Sequence, residues 1–222
     1  MSCKLSRLCW MLLGVCFLLS ALEVRASAED LLVKVDWIPD GDTLFLQQGE
    51  WLRIKGIDAP EMGGDGQPDQ YFAHESRHGL KNIVQDKSLT LENDSLDKDR
   101  YGRILAHVRL PSGQLLSEAL VSQGLAFYYA HPNQQEKYNE RLLFAQRQAM
   151  QQNRGFWPGL LESPQASEPY VGNRRSKRFH TLDCSFGQRI SDENRVQFSD
   201  LRQAFDAGFA PGRKCTPWPA QD

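Results

Sequence analysis

Asp40-Gly41-Asp42-Thr43-Leu44-Phe45-Leu46, a tight polar turn running into a short apolar strand, and Trp51-Leu52-Arg53-Ile54-Lys55-Gly56-Ile57-Asp58-Ala59-Pro60-Glu61, a strand that ends in carboxylates, decide how this chain reads. Upstream, Leu31-Leu32-Val33-Lys34-Val35 is a third β-prone run, and Pro39-Asp40-Gly41-Asp42 and Gln48-Gly49-Glu50 punctuate the three. The region from Leu31 to Ile57 is therefore a meander of short strands. Two carboxylates stand in the first turn, and two more, Asp58 and Glu61, stand where the last strand runs out. If those strands are neighbours the four converge. Such a cluster raises its own pKa values unless a counter-charge is present, and a hard divalent cation with oxygen ligands supplies one.

Outward from this core, Phe72, Ser76, Leu80 and Ile83 recur at helical spacing behind Pro68-Asp69, which predicts a helix over 69–85. Strands follow near 88–93 and 103–110, with a helix over Leu115 to Gln123 that stops at Gly124. A last helix is expected from Asn133 as N-cap, with Glu136 three residues on, to Gly155. Residues 160–169 have turn and polar residues without an apolar period and read as a linker. The remaining 53 residues, 170–222, are few for an independent core.

The chain of 222 residues is 41% hydrophobic and 24% charged, which excludes a disordered protein. At its start Lys4 and Arg7 precede an apolar run from Leu8 to Leu22 and the small residues Ala26-Ser27-Ala28, so residues 1–28 are expected to be a removable secretory signal. The run is shorter than the roughly 20 residues of a spanning helix, and no membrane span is expected after cleavage. A lipid-attached Cys16 is the other alternative, though Val15 is a poor fit to the small residue such a site needs. The expected location is periplasmic or extracellular. Of the 5 cysteines, Cys184 and Cys215 would remain, and in an oxidising compartment two cysteines suggest one disulfide. Chain entropy puts such a bridge at ~3–4 kcal/mol.

Net charge is -2, so this is not a generally basic nucleic-acid binder. Residues 29–169 carry 14 Lys and Arg against 21 Asp and Glu, whereas residues 170–222 carry 9 against 6. A polyanion must be held by local clusters. Arg53 and Arg103, the latter behind Asp99-Arg100-Tyr101-Gly102, are candidate guanidinium forks for phosphate oxygens. A cation, a further carboxylate and two forks meet the needs of phosphodiester hydrolysis: charge neutralisation, activation of water and transition-state stabilisation. Each fragment alone is common, since Asp-Gly-Asp is an ordinary turn and isolated arginines are usually solvated.

Taken in order and spacing, Asp40-Gly41-Asp42-Thr43, Arg53-(x4)-Asp58-Ala59-Pro60-Glu61, Asp99-Arg100-Tyr101-Gly102-Arg103 and Leu116-Ser117-Glu118-Ala119-Leu120-Val121-Ser122-Gln123-Gly124-Leu125-Ala126 closely resemble the staphylococcal nuclease (thermonuclease) family, over about residues 31–158. The resemblance implies a β-rich α+β fold, a five-stranded OB-fold barrel with flanking helices over 29–159. It implies calcium (Ca2+) held by Asp42, Asp58 and the main-chain carbonyl of Ala59, with Asp40 behind them. Glu61 would position or deprotonate the attacking water, and Arg53 and Arg103 would contact phosphate. Tyr129 is the candidate for stacking on a nucleotide, with a partly buried strand aromatic as the equal alternative. The activity implied is calcium-dependent cleavage of DNA and RNA leaving 3'-phosphate ends. The alternative is a non-catalytic OB-fold module of the cell envelope that binds nucleic acid or another anion.

Residues 170–222, with Arg174-Arg175-Ser176-Lys177-Arg178-Phe179-His180 and Pro211-Gly212-Arg213-Lys214-Cys215, resemble the small metal-binding domain of the Ada DNA-repair family. Gly212 stands where that family has a zinc cysteine. Cys184, Cys215 and His180 leave a tetrahedral site one ligand short, so a disulfide is favoured over zinc. The basic cluster Arg174, Arg175, Lys177 and Arg178 is either a tether for a polyanionic polymer or a solvated edge.

Overall fold

Alternation of apolar and polar residues from Leu31 to Trp37 produces the longest strand, β1 (Leu31–Trp37), in a computed structural model that describes residues 30–64, 66–213 and 218–219. The expected signal segment 1–28 and Cys215 lie outside the described residues. β1 buries Val33 and pairs antiparallel on one side with β2 (Thr43–Leu46). Between Val35 and Trp37 that pairing shifts register. β2 turns through Gly49, whose φ of 86° suits a residue without Cβ, into β3 (Trp51–Ile54), and then comes β4 (Ile57–Asp58). On its other side β1 pairs with β5 (Ser88–Leu91). After β6 (Asp97–Lys98), β7 (Ile104–Ala106) runs parallel to β3, and β8 (Val108–Arg109) pairs with β5. The seven-stranded sheet has the order β6-β7-β3-β2-β1-β5-β8. A further strand, β9 (Phe127–Tyr128), pairs with β4 outside it.

Helices cover this sheet. In α1 (Ala73–Val84) the residues Ala73, Ser76, Leu80 and Val84 are buried at helical spacing. It begins later than the predicted 69, because Phe72 is left-handed at φ 68° and Asp69 spends its carboxylate on the Gly63 N–H at 2.5 Å. α2 (Leu116–Ser122) is followed by Gly124 at φ 66°, as expected of a C-terminal stop. α3 (Glu136–Gln151) does not start from Asn133. That residue is left-handed at φ 61°, which a helix cannot propagate but asparagine tolerates, and Gln135 stands at the cap. No described helix is long and apolar enough to cross a membrane.

The stretch expected to be a linker is partly helical. α4 (Trp157–Leu161) buries Trp157 and Leu160, and a 3-10 turn covers Pro164–Ser167. Beyond it β10 (Tyr170–Asn173) lies between β11 (Arg178–Thr181) and β12 (Arg195–Phe198), with α5 (Ser185–Gln188) and α6 (Leu201–Asp206) alongside and β13 (Ala210–Pro211) parallel to β11. This unit has no separate core. Phe127, Met150, Phe156 and Trp157 share one apolar cluster with Tyr170, Phe179, Phe205 and Phe209. Gln146, buried in α3, donates to the Phe205 carbonyl at 2.9 Å and accepts from the Tyr128 N–H at 2.8 Å, so one side chain fixes the C-terminal unit against β9.

Candidate active site

The β1–β2 turn delivers Asp42 because it folds back on itself: the Asp42 N–H donates to Asp40 Oδ1 at 3.1 Å. Gly41 makes that fold possible, since a Cβ there would lie 2.8 Å from the Cβ atoms of both Ala59 and Ser76. The Asp42 carbonyl accepts from the Ile54 N–H at 3.0 Å, tying the turn to β3. Asp42 is 1% exposed. Oδ1 accepts from Thr43 Oγ1 at 3.0 Å and from Arg53 Nη1, and Oδ2 accepts from the Ala59 N–H at 2.8 Å.

Register places the guanidinium. Arg53 is opposite Thr43 in the β2–β3 ladder, and at 3% exposure it is buried. Its Nη1 meets Asp42 and its Nη2 meets Asp58 Oδ1, so a single planar fork spans the two carboxylates. Asp58, at the end of β4 and 2% exposed, has two more cationic partners. Arg178 Nη1 donates to its Oδ2 at 2.5 Å and Arg213 Nη2 to its Oδ1 at 3.1 Å. Glu61 follows on a segment fixed twice by Gln70, whose side-chain oxygen accepts from the Glu61 N–H at 2.8 Å and whose own N–H donates to the Glu61 carbonyl at 3.0 Å. Arg213 Nε lies 3.1 Å from Glu61 Oε1 without hydrogen-bond geometry, so that buried oxygen is charge-paired but has no hydrogen-bond donor among the described residues.

Electrostatically the two aspartates part company. Burial works against the charge of Asp58, yet Arg178, Arg53 and Arg213 outweigh it and hold the carboxyl far below its ordinary range. Burial pushes Asp42 well up; Arg53 opposes, while Asp40, Asp58 and Glu61 reinforce the rise. Glu61 is raised too, by burial first and with Arg213 opposing. Arg53, despite burial, is held protonated by Asp42 and Asp58. Asp42 shares Arg53 with Asp58, whereas Asp58 has Arg178 and Arg213 as well.

Residues 51–159 match the model of the family described as staphylococcal nuclease homologue. The thermonuclease of Staphylococcus hyicus is 35% identical over 138 residues, covering 60% of this chain and 79% of that protein. An endonuclease of Escherichia coli is 32% identical over 133 residues, 58% of this chain and 78% of that one. Endonuclease YhcR of Bacillus subtilis is 29% identical over 199 residues, 79% of this chain but 16% of that much longer protein. The chain belongs to the staphylococcal nuclease family. That family points to a phosphodiesterase, and so to a nucleic-acid substrate.

In this nuclease-family chain the structure brings together Asp40, Asp42, Arg53, Asp58, Ala59 and Glu61. Arg103, the other arginine expected at the site, is held by Asp99. Arg103 Nε is paired with Asp99 Oδ2 at 2.7 Å, the Arg103 N–H donates to Asp99 Oδ1 at 3.1 Å, and among the described residues Arg103 makes no ion pair with Asp42, Asp58 or Glu61. Tyr129 reaches the site indirectly, with the Arg178 guanidinium over its ring at 3.7 Å. Cys184 is disulfide-bonded, and its Sγ lies 3.5 Å from His180 Nδ1. No group of three or more His, Cys, Asp or Glu among the described residues forms a ready metal cage. The donor set nevertheless suits a hard cation. Two buried carboxylates share one guanidinium, and a buried Glu61 oxygen without a hydrogen-bond donor among the described residues stands beside them.

Sequence reasoning missed Arg178 and Arg213 as site residues and Gln70 as the clamp on Glu61. Arg178 was visible as one member of a basic run and Arg213 only as part of the motif before Cys215. Neither carries a local signal linking it to a carboxylate more than 100 positions earlier.

Proposed function

We propose that this chain is an exported, calcium-dependent nuclease that hydrolyses phosphodiester bonds in DNA and RNA and leaves 3'-phosphate ends. One observation carries the reading: the Arg53 fork bridges two buried aspartates, one from a turn and one from a strand end, with Glu61 beside them. Asp42, Asp58 and the Ala59 carbonyl would hold calcium, and the bound ion would neutralise phosphate charge. Arg53, already aligned by its two carboxylates, presents a fork to phosphate oxygens. Glu61, raised by burial and clamped by Gln70, accepts a proton from the attacking water or orients it. Arg103, held by Asp99 through Nε, would contact a phosphate oxygen as the 5'-oxygen departs.

The OB-type barrel belongs to the same proposal. What supports it is the chain path, because β7 and β8 are separated by His107 alone, and the strand that pairs with β3 continues into the one that pairs with β5. We likewise infer cleavage of residues 1–28, a nuclease domain over 29–159, and in residues 170–222 an Ada-like unit that has exchanged zinc for a Cys184–Cys215 disulfide. Titrating thiols and zinc in the purified protein tests the last point: no free thiol and no zinc are expected, and two thiols with one equivalent of zinc would reverse it.

Digestion of denatured DNA with calcium, with a chelator, and by Glu61→Ala tests the function. Cleavage should require calcium and fall at least about a hundredfold in the variant, the usual worth of a positioned base. Strong cleavage in chelator, or unchanged cleavage by Glu61→Ala, would contradict the mechanism.

A further inference from the structure

Two of the three guanidiniums on the acidic cluster come from the C-terminal unit. Arg178, on β11, holds Asp58 Oδ2 at 2.5 Å and the Pro211 carbonyl at 2.9 Å, and lies over the Tyr129 ring. Arg213, two residues past β13, bridges Asp58 Oδ1 and Glu61 Oε1 at 3.1 Å each while its side chain stays 43% exposed. These contacts cross from the segment outside the family match into the middle of the site.

Charge balance shows what they change. Asp40, Asp42, Asp58 and Glu61 form the acidic side. Against them Arg53 alone would leave three negative charges, and one divalent cation would still leave one, an environment that repels a phosphodiester. Arg178 and Arg213 turn that remainder into a single positive charge, which one phosphodiester neutralises.

Space shows when they act. The gap lined by Asp58, Ala59, Glu61, Gln70, Phe127, Pro211, Arg213 and Trp218 is about 10 Å³, room for no more than a water. A phosphate enters only if Arg213 exchanges carboxylate for phosphate oxygen. Its partial exposure lets it swing, whereas Arg178, packed on Tyr129 and Pro211, is held in place.

We propose that Arg178 and Arg213 form a phosphate-binding subsite of the active site, so that the C-terminal unit supplies substrate-holding cations to the nuclease centre. This rests on the nuclease reading of the same site. The competing reading of the geometry is a plug, in which Arg213 blocks the carboxylates and is simply expelled.

Calorimetric binding of a nucleoside 3',5'-bisphosphate to the full chain in calcium separates them, with melting curves to verify folding. Arg213→Gln, at a partly exposed position, should weaken binding by about tenfold or more, as loss of a charge-assisted hydrogen bond does. Arg178→Lys should retain part of the affinity, having kept charge without the fork. Wild-type binding and cleavage with unchanged or tighter binding by Arg213→Gln would overturn the subsite and leave the nuclease intact. A wild-type chain that neither binds the probe nor cleaves DNA would remove the nuclease reading and this one with it.

Discussion

Gly41 shows how closely the site residues are set. Its neighbours Asp40 and Asp42 carry charge, but the glycine decides whether the turn can lie against Ala59 and Ser76. Gly41→Ala puts a methyl group 2.8 Å from two Cβ atoms that belong to a strand exit and a helix, neither of which can yield cheaply. A loss of about 1–3 kcal/mol in denaturant unfolding is expected, the range for overpacking. Unaltered stability would mean that the turn stands off from α1. At this scale the sequence was informative wherever a residue's role is local. Asp42, Arg53, Asp58 and Glu61 lie within one meander, so strand spacing is enough to expect the carboxylates to converge, while the role of each is what the family resemblance implies. Arg103 was grouped with them by motif, yet its strongest partner is Asp99, four positions away. Arg178 and Arg213 were out of reach, because a contact across 120 or 155 residues leaves no periodicity to read.

Among elements, β1, β2 and β3 were legible because apolar alternation and Gly49 mark both their faces and their ends. Helix starts were less so: Asp69 and Asn133 have the chemistry of caps but are engaged elsewhere, one on Gly63 and one in a left-handed bend. His107, the single residue between β7 and β8, carries a pH dependence. It is 1% exposed and stacked on Tyr138 at 3.8 Å, and burial together with Lys55 pushes its pKa from 6.5 down to about 3. The unfolded chain therefore takes up a proton below about 6.5 that the folded chain refuses, so His107 costs stability progressively as pH falls from there toward 3. The slope it adds approaches about 1.4 kcal/mol per pH unit. Unfolding measured at pH 7, 6 and 5 should give a shallower decline in His107→Gln than in the wild type. Parallel declines would show that the imidazole is protonated in the folded state.

For the whole molecule, the shared core is the main departure from two units on a linker. The polar stretch after Trp157-Pro158-Gly159 concealed it, because Trp157 was read as the end of one unit and Leu160 as the start of the linker, and both are buried in the shared cluster. A chain cut after residue 159 would expose Phe127, Met150, Phe156 and Trp157. At about 1.5–3 kcal/mol for each fully exposed side chain, discounted for partial re-covering, a loss of around 5 kcal/mol follows. The melting temperature should drop by roughly 10–20 °C. A truncated chain that melts with the full one would mean that the C-terminal unit merely rests on the surface.

The central claim is that Asp42 and Asp58 jointly hold a divalent ion. Calorimetric titration of calcium into the chelator-treated full chain measures that without any substrate. One site is expected in the wild type, lost or weakened at least about tenfold in both Asp42→Asn and Asp58→Asn while each variant still folds. Calcium binding that is absent from the wild type, or that survives both substitutions undiminished, would contradict it.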